Sequence, residues 1–392
     1  MASIFDLSHE LLDMIFANLA KRDVFALRFS CRELRDASWN YCAQTYFAKL
    51  TMFVSTEGAR RYNKLCFPHI KQSIRHVKLL LGCRHGSSWA NSELRALLTD
   101  LPNFNSLTIQ HVQPRRWVHT SNLENDYKQV SKVEWKREHR IASNVVSDIF
   151  LNLLVVPNSL RSIDIHSSEF KNYTDGLLRL DDLDIMARAA PLFRHNLANL
   201  VTLSLSLNTH ISEEPAPDCY DALPTFLKGI PTLEEFTLVG TRRPFKPIPS
   251  LIFRALAEAT TGEQRLPRLK LLRLKYFPVE QDALLQFISS HAKTLSKFQM
   301  THIVLFHSVV QDDASSPYTG FLSTWPTFLK KLDEAQVIWE LSTYELMKDQ
   351  PQRAQRLNLR LWEKTPAREK KLSNARKDGA MTTVLPNLST LF

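Results

Sequence analysis

Cysteine and histidine residues near one another in the sequence are the side chains with the clearest potential for chemistry. Cys66 is followed by His69, and Cys83 is followed by His85. Thiolate and imidazole are the ligands that zinc prefers, and four of them complete a structural site. Their spacing matches no common zinc finger, so we expect neither a metal nor another cofactor. The carboxylates at positions 181, 182 and 184 instead favour a helix start, where Asp caps backbone N–H groups.

The common catalytic and nucleotide-binding patterns are missing from the sequence. It contains no GxSxG nucleophile elbow, no GxGxxG turn and no GxxxxGKS/T loop, and it has only 9 glycines. The 13 histidines are scattered and form no convergent set. We therefore expect a protein that is not an enzyme, and the arrangement of its helices and strands is the better guide to function.

The composition is that of an average globular protein. Of the 392 residues, 44% are hydrophobic and 23% are charged. No run of about 18 apolar residues exists, and the N-terminus lacks a secretory pattern, so no membrane span and no export are expected. The five cysteines form no CxxC pair, which fits reduced thiols in the cytoplasm or nucleus. The net charge of +10 favours acidic partners but defines no site.

Three short helices are predicted within residues 1–48. The first has an apolar periodicity, and its apolar positions are Leu11, Leu12, Ile15, Phe16 and Leu19. Ser8 is its predicted N-cap, Asp23 that of the second helix, and Ser30 with Glu33 forms a capping box for the third. A core this small is not robust alone, so its apolar surface must pack on the rest of the chain or on another protein.

The stretch from Leu7 to Arg35 resembles the F-box family. It has the pattern LxxELLxxIFxxLxxxDVxxLRxxCRxxR, with Ser8 in place of the family's proline and Leu34 in place of its usual tryptophan. The resemblance implies that these helices bind the adaptor subunit that bridges to a cullin. The residues that it assigns to adaptor binding are Leu7, Ser8, Leu11, Leu12, Ile15, Phe16, Leu19, Leu27 and Cys31.

Short apolar segments alternate with amphipathic stretches over residues 74–310. Seven segments share the pattern apolar-x-x-apolar-x-apolar and begin at positions 74, 104, 160, 200, 233, 269 and 295. Strand, loop and helix recurring in this way are typical of a solenoid, and the segments resemble degenerate leucine-rich repeats. The predicted fold class is therefore α/β, a three-helix F-box followed by an irregular leucine-rich-repeat-like solenoid; a doubly wound α/β domain is the alternative.

Loops that follow the strands carry arginine with aromatic residues, a composition that recurs at protein interfaces. In a solenoid such loops lie along one rim. Arginines in such loops would suit an acidic or phosphorylated target. The alternative is that these are solvated loops whose aromatic residues have no binding role. The candidate target-binding residues are Arg84, Arg115, Arg116, Trp117, Tyr173, Arg242, Arg243, Phe245 and Tyr276.

The remaining segments complete the predicted organisation. Residues 49–73 are a predicted helical linker, and residues 311–392 a predicted helical region with a basic tail, with a helix over 327–350 and a closing strand over 385–391. The predicted function is that of a substrate-recognition subunit of an SCF-type cullin–RING ubiquitin ligase. The alternatives are an F-box scaffold outside ubiquitin transfer and a nucleic-acid-associated repeat protein, the latter suggested by the basic stretch 113–140.

Overall fold

A computed structural model gives the fold of the chain. It describes residues 4, 7–65, 68–82, 91–112, 145–146, 148–149, 160–167, 178, 188, 197–207, 221–240, 248–259, 266–276, 278–306, 339–347 and 354–357. The chain divides into two compact units. Unit 1 comprises Met1–Phe170 and Leu177–Leu203, and unit 2 comprises Lys171–Gly176 and Ser204–Phe392.

Unit 1 begins with helices and continues as alternating strands and helices. Its elements are α1 (His9–Ala17), α2 (Lys21–Ser30), α3 (Arg32–Ala37), α4 (Trp39–Tyr46), β1 (Lys49–Phe53), α5 (Thr56–Leu65), α6 (Pro68–Lys71), β2 (His76–Gly82), α7 (Asn91–Thr99), β3 (Ser106–Val112) and β4 (Ser162–Ser167). The strands β1, β2, β3 and β4 pair side by side in that order, and every pair is parallel.

Unit 2 has the same alternation. Strand β5 (Thr202–Ser206) begins in unit 1 and ends in unit 2. The elements that follow are α8 (Ala222–Lys228), β6 (Glu235–Val239), α9 (Ile248–Ala259), β7 (Leu271–Lys275), β8 (Pro278–Glu280), α10 (Gln281–His291), β9 (Lys297–Phe306), β10 (Trp339–Met347) and β11 (Ala354–Leu357). Strands β6, β7, β9 and β10 pair in parallel, β8 also pairs with β9, and β11 is antiparallel to β10. The α/β class is therefore confirmed, with parallel strands in both units.

Each of the seven apolar segments forms a strand, as predicted. The first apolar residue of a segment lies two positions before the strand and is buried, as Ile74, Phe104 and Leu160 illustrate. The two apolar residues that follow lie on one face of the strand because side chains alternate along it. In β3 these are Leu107 and Ile109, both fully buried. The repeated pattern thus supplies one continuous apolar layer within each unit.

A strand also lies where the sequence predicts only a helical linker. Strand β1 pairs with β2 so that Leu50 faces Val77 and Met52 faces Leu79. Only these two residues of the strand share the core face, and its other positions include the exposed Lys49 and a Thr. Two apolar positions are too few to reveal a strand by periodicity alone, so the pairing with β2 decides the structure.

The predicted helix over residues 327–350 is wrong for residues 339–347, which form strand β10. Trp339 pairs with Phe298 and Leu341 with Met300, in parallel with β9. Trp339 and Leu341 are two residues apart, which fits a strand, and the register shifts after Leu341 break the regular alternation. The predicted closing strand over 385–391 lies outside the described residues.

Candidate docking surface

The four N-terminal helices enclose a small apolar core. Leu12, Phe16, Val24 and Cys42 are 3% exposed or less and form one buried cluster. The rings of Phe16 and Tyr41 lie 6.0 Å apart, which joins α1 to α4. Six partly buried residues pack around this cluster, namely Leu19, Leu27, Ala37, Tyr41, Tyr46 and Phe47. The core is formed within the chain itself; Leu12 and Phe16 come from the apolar positions predicted for the first helix, and Val24 and Cys42 join them from α2 and α4.

The helix starts differ in part from their predictions. Ser8 is the N-cap of α1, although its side chain makes no capping hydrogen bond. Ala20 is the N-cap of α2, so the prediction of Asp23 is wrong, and that residue lies in the first turn. Cys31, not Ser30, is the N-cap of α3, and its Sγ accepts a 3.4 Å hydrogen bond from the Leu34 N–H. Two of the three N-caps therefore lie one to three residues from their predicted positions, and none of the predicted helices is lost.

Glu10 stabilises the start of α1. Its carboxylate accepts hydrogen bonds from backbone N–H and from the Ser8 hydroxyl, and these hold the pKa of Glu10 below its ordinary value. A negative charge in the first turn is also favoured by the helix dipole. The hydroxyl of Ser8 therefore acts on the helix start through Glu10.

The predicted third helix is divided at Ser38, where Arg28 joins three helices. Its Nη1 atom donates to the Arg35 carbonyl oxygen at 2.9 Å and to Ser38 Oγ at 3.0 Å. Its guanidinium carbon lies 5.4 Å from the ring centroid of Trp39. Ser38 is fully buried, and its hydroxyl donates to the Leu34 carbonyl oxygen at 2.6 Å. Arg28 thereby fixes α2 against α3 and α4, a role that the sequence pattern did not reveal.

Helix α1 also has a second apolar face, which points away from the core. Leu7 before the helix is 38% exposed, and Leu11, Met14 and Ile15 within it are 48%, 63% and 37% exposed. Because successive residues turn by about 100°, Leu11, Met14 and Ile15 lie together on one side, roughly opposite Phe16. We call Leu7, Leu11, Met14 and Ile15 the outer face. Exposed apolar side chains grouped in this way are typical of interaction surfaces.

The predicted adaptor-binding residues are therefore divided between two environments. Leu7, Ser8, Leu11 and Ile15 are exposed, whereas Leu12 and Phe16 are internal core. The remaining three, Leu19, Leu27 and Cys31, are partly buried. Met14 belongs to the outer face and was not predicted, although its position three residues after Leu11 was a usable signal. Phe29, 87% exposed near the end of α2, was also missed.

Of the predicted target-binding residues, only Tyr276 lies within the described part of the chain. It follows β7, is 8% exposed and has a φ of 53°, a left-handed conformation that is strained for a bulky residue. Its N–H donates to the Thr301 carbonyl oxygen at 2.9 Å, and its ring lies 5.1 Å from Lys275 Nζ. The backbone hydrogen bond fixes the chain after β7 against β9, and the side chain is buried against the unit. The other eight, Arg84, Arg115, Arg116, Trp117, Tyr173, Arg242, Arg243 and Phe245, lie outside the described residues.

No metal or membrane-spanning element is found in the described ranges. Among these residues, no three His, Cys, Asp or Glu side chains are grouped to hold a metal ion. Cys66, Cys83 and His85 of the candidate zinc set fall outside them. In the same ranges, no helix has the length and apolar character needed to cross a membrane.

Comparison with known proteins gives remote similarities to solved structures. No protein-family model and no curated protein sequence matches the chain. Among solved structures, a sugar phosphate isomerase/epimerase from Parabacteroides distasonis is 11% identical, with 79% of this chain and 90% of that chain covered and a TM-score of 0.17. The leucine-rich repeat-containing protein LegL7 from Legionella pneumophila is 12% identical, with coverages of 73% and 98% and a TM-score of 0.21. A chain of the Rad7–Elc1 complex in yeast is 11% identical, with 80% of this chain and 92% of that chain covered and a TM-score of 0.20. TM-scores this low carry no argument about function.

Proposed function

We propose that the chain is a substrate-recognition subunit of an SCF-type cullin–RING ubiquitin ligase, and that the outer face of α1 binds the adaptor subunit. The observation that carries the proposal is that α1 is apolar on two sides. One side, with Leu12 and Phe16, is buried in the helical core, and the outer face, with Leu11 and Met14, remains exposed. A single amphipathic face would be enough to fold the bundle. The second face is surplus to folding and suits a partner protein.

The sequence pattern supports the same assignment. The outer face lies within the stretch from Leu7 to Arg35 that resembles the F-box family, which binds the adaptor through these helices. Each apolar side chain that becomes fully buried contributes about 1.5–3 kcal/mol, so a few such residues suffice for tight binding. Leu12 and Phe16 then act indirectly, by holding α1 in place.

The repeating strands and helices provide the platform for a target protein in this proposal. We interpret them as a degenerate leucine-rich-repeat-like solenoid, because consecutive repeats place consecutive strands next to one another. Stacked repeats form an extended rigid surface. The chain would then contribute proximity and orientation, while ubiquitin chemistry takes place on other subunits of the ligase.

Co-purification with an SCF adaptor and cullin tests the proposal. The variant Leu11→Asp/Met14→Asp places two charges on the outer face, and we expect it to lose the adaptor. The control, Ala26→Asp/Asn40→Asp, adds the same charge at exposed positions of α2 and α4 and should keep it. Circular dichroism must show that both variants remain folded. Failure of the native chain to retain the adaptor would refute the proposal.

A second readout separates a ligase subunit from a scaffold that uses the same docking face. A protein target captured with the native chain should be ubiquitinated in a reconstituted ligase reaction. The reaction should stop with the Leu11→Asp/Met14→Asp variant and continue with the control. Adaptor binding without any dependent ubiquitination would favour the scaffold.

A further inference from the structure

The strands of unit 1 have a polar face on the side opposite their apolar layer. In β2, the fully buried Val77 and Leu79 alternate with the half-buried His76 and Lys78. Parallel pairing extends this polar face across the sheet in two rows. One row contains Lys49, His76, Ser106 and Ser162, and the next contains Thr51, Lys78, Thr108 and Asp164. The two rows place hydroxyl, imidazole and ammonium groups on neighbouring strands.

His76 is at the centre of this polar face and is hydrogen-bonded through both ring nitrogens. Its Nε2 lies 3.0 Å from Thr108 Oγ1, and its Nδ1 lies 3.3 Å from Ser106 Oγ. A neutral imidazole has one N–H, so one hydroxyl accepts from the ring and the other donates to it. The hydroxyl that accepts from the ring keeps its own proton for a hydrogen bond to another molecule. A doubly protonated ring would free both hydroxyl protons for that purpose.

Two lysines add positive charge beside His76. Lys49 is exposed on β1 and Lys78 is half-buried on β2. Within the described part of the chain, neither forms an ion pair with a carboxylate. The pKa of His76 lies below its ordinary value, first because burial disfavours the charged ring and then because both lysines repel it, while Asp164 acts in the opposite direction. The register explains why both lysines act on the ring: Lys49 pairs with His76 across β1 and β2, and Lys78 lies two residues along β2 on the same face.

The nearest acidic group is already engaged. Asp164 Oδ2 lies 3.0 Å from His166 Nδ1 on the same strand. This contact partly occupies the one carboxylate of the two rows and leaves the lysines as the dominant charges. The face therefore combines two lysines that have no carboxylate partner among the described residues with the half-buried Ser106 hydroxyl and the nearly buried Thr108 hydroxyl, a combination that can bind an anion.

We propose that this face, formed by Lys49, His76, Lys78, Ser106 and Thr108, binds an acidic peptide segment of a target protein through the segment's carboxylates. In an extended peptide, alternate side chains point the same way and stand about 6.8 Å apart, so a segment with acidic residues at alternate positions directs several carboxylates at the sheet. Binding also favours a proton on His76, because the protonated ring frees both hydroxyls and adds a charge. The inference deepens the proposed function by naming the target's chemistry, and it rests on that function only in treating the peptide as part of a ligase target.

Fluorescence anisotropy with the purified full chain tests this inference. The probe is a short labelled peptide of alternating Glu and Ser, and its neutral twin has Gln in place of Glu. We expect the native chain to bind the acidic probe and not the twin. The variant Lys49→Ala/Lys78→Ala should weaken binding by about 2- to 30-fold, as expected for two charge pairs at the surface. The control Lys228→Ala/Lys293→Ala removes two exposed lysines from unit 2 and should leave binding within about twofold.

The expected coupling between peptide binding and protonation of His76 is tested by measuring affinity as a function of pH. Affinity of the native chain should rise as the pH falls from about 8 to about 5, because the pKa of His76 lies below its ordinary value while the probe's Glu carboxylates stay largely ionised. The change His76→Gln, which keeps a polar side chain but cannot titrate, should flatten this dependence. If affinity depended on pH equally in the native chain and in His76→Gln, His76 would not be part of the binding site.

Three results would overturn the inference. The first is that Lys49→Ala/Lys78→Ala and the control Lys228→Ala/Lys293→Ala weaken binding of the acidic probe equally, which would indicate attraction to the net charge alone. The second is equal binding of the neutral twin. The third is a labelled single-stranded RNA that binds more tightly than the acidic probe and depends on Lys49 and Lys78. Adaptor co-purification with the same lysine variants distinguishes failure of the peptide site from failure of adaptor docking. The amount of adaptor retained should be unchanged whether or not the acidic probe binds.

Discussion

Alanine substitutions on the two sides of α1 should separate folding from binding. Phe16, at 1% exposure, contacts Tyr41 inside the helical core, whereas Leu11 and Met14 on the outer face are 48% and 63% exposed. Replacing Phe16 by Ala leaves a cavity that short helices cannot easily close. Replacing Leu11 and Met14 by Ala removes surface that only a partner would cover, and Ala is a good helix former.

The structure sets the size of both effects. A buried Phe→Ala change costs about 3–5 kcal/mol of unfolding free energy, and exposed changes usually cost about 0.5 kcal/mol or less. Burying the exposed part of Leu11 and of Met14 is worth about half of the 1.5–3 kcal/mol for each whole side chain. Together this is about 1.5–3 kcal/mol of adaptor affinity, or about 10- to 150-fold in Kd.

Two assays on the same proteins test this separation. Denaturant unfolding followed by tryptophan fluorescence and circular dichroism reports stability, and calorimetric titration with purified adaptor reports affinity. Leu11→Ala/Met14→Ala should keep the native midpoint and lose affinity, whereas Phe16→Ala should lower the midpoint. If the outer pair changed affinity by less than about threefold, docking through this face would be refuted. A large fall in its midpoint would instead mean that the outer face supports the fold.

Three further predictions concern stability. His291→Phe should cost about 1–3 kcal/mol in denaturant unfolding, because the Leu266 N–H loses its acceptor, the His291 Nε2 atom at 3.2 Å. Arg254→Met should lower the unfolding midpoint more than Glu280→Gln, because Glu280 is only 5% exposed and its carboxylate would remain buried without its partner. Stability should fall as the pH drops below about 6.5, because the pKa of His76 is lower in the folded chain and the unfolded chain therefore binds the proton more readily. Unfolding of His76→Gln measured over the same pH range should show a smaller loss of stability.

The strands were predictable because their residues carry the information locally. Each apolar triplet contains one residue buried before the strand and two on the core face, as Leu160, Ile163 and Ile165 illustrate. Strands β1 and β10 depend on a neighbour far away in the chain. The register of Trp339 with Phe298 is a property of the pair, and the sequence around Trp339 does not show it.

The candidate docking surface was only partly predictable for a related reason. Periodicity identifies α1 as apolar but does not say which apolar side is covered. Burial of Phe16 and exposure of Met14 follow from the packing of four helices around one core. The link from Arg28 to Ser38 likewise depends on the break between α3 and α4. Serine is a favoured N-cap, and Ser38 is the N-cap of α4, but the local sequence does not show that Arg28 lies beside it. The polar face around His76 requires the registers of β2 and β3, which bring residues about thirty positions apart into contact.

The order of strands has a consequence for synthesis on the ribosome. In unit 1, β2 pairs with β1, β3 with β2 and β4 with β3, so spatial order follows the order of translation. Each emerging strand meets an edge whose backbone groups are already in place and unpaired. The nascent chain can therefore grow its sheet by addition at one edge. A ribosome stalled after a repeat of unit 1 would carry a partly built but ordered sheet, whose last strand still lacks the neighbour that the next repeat supplies.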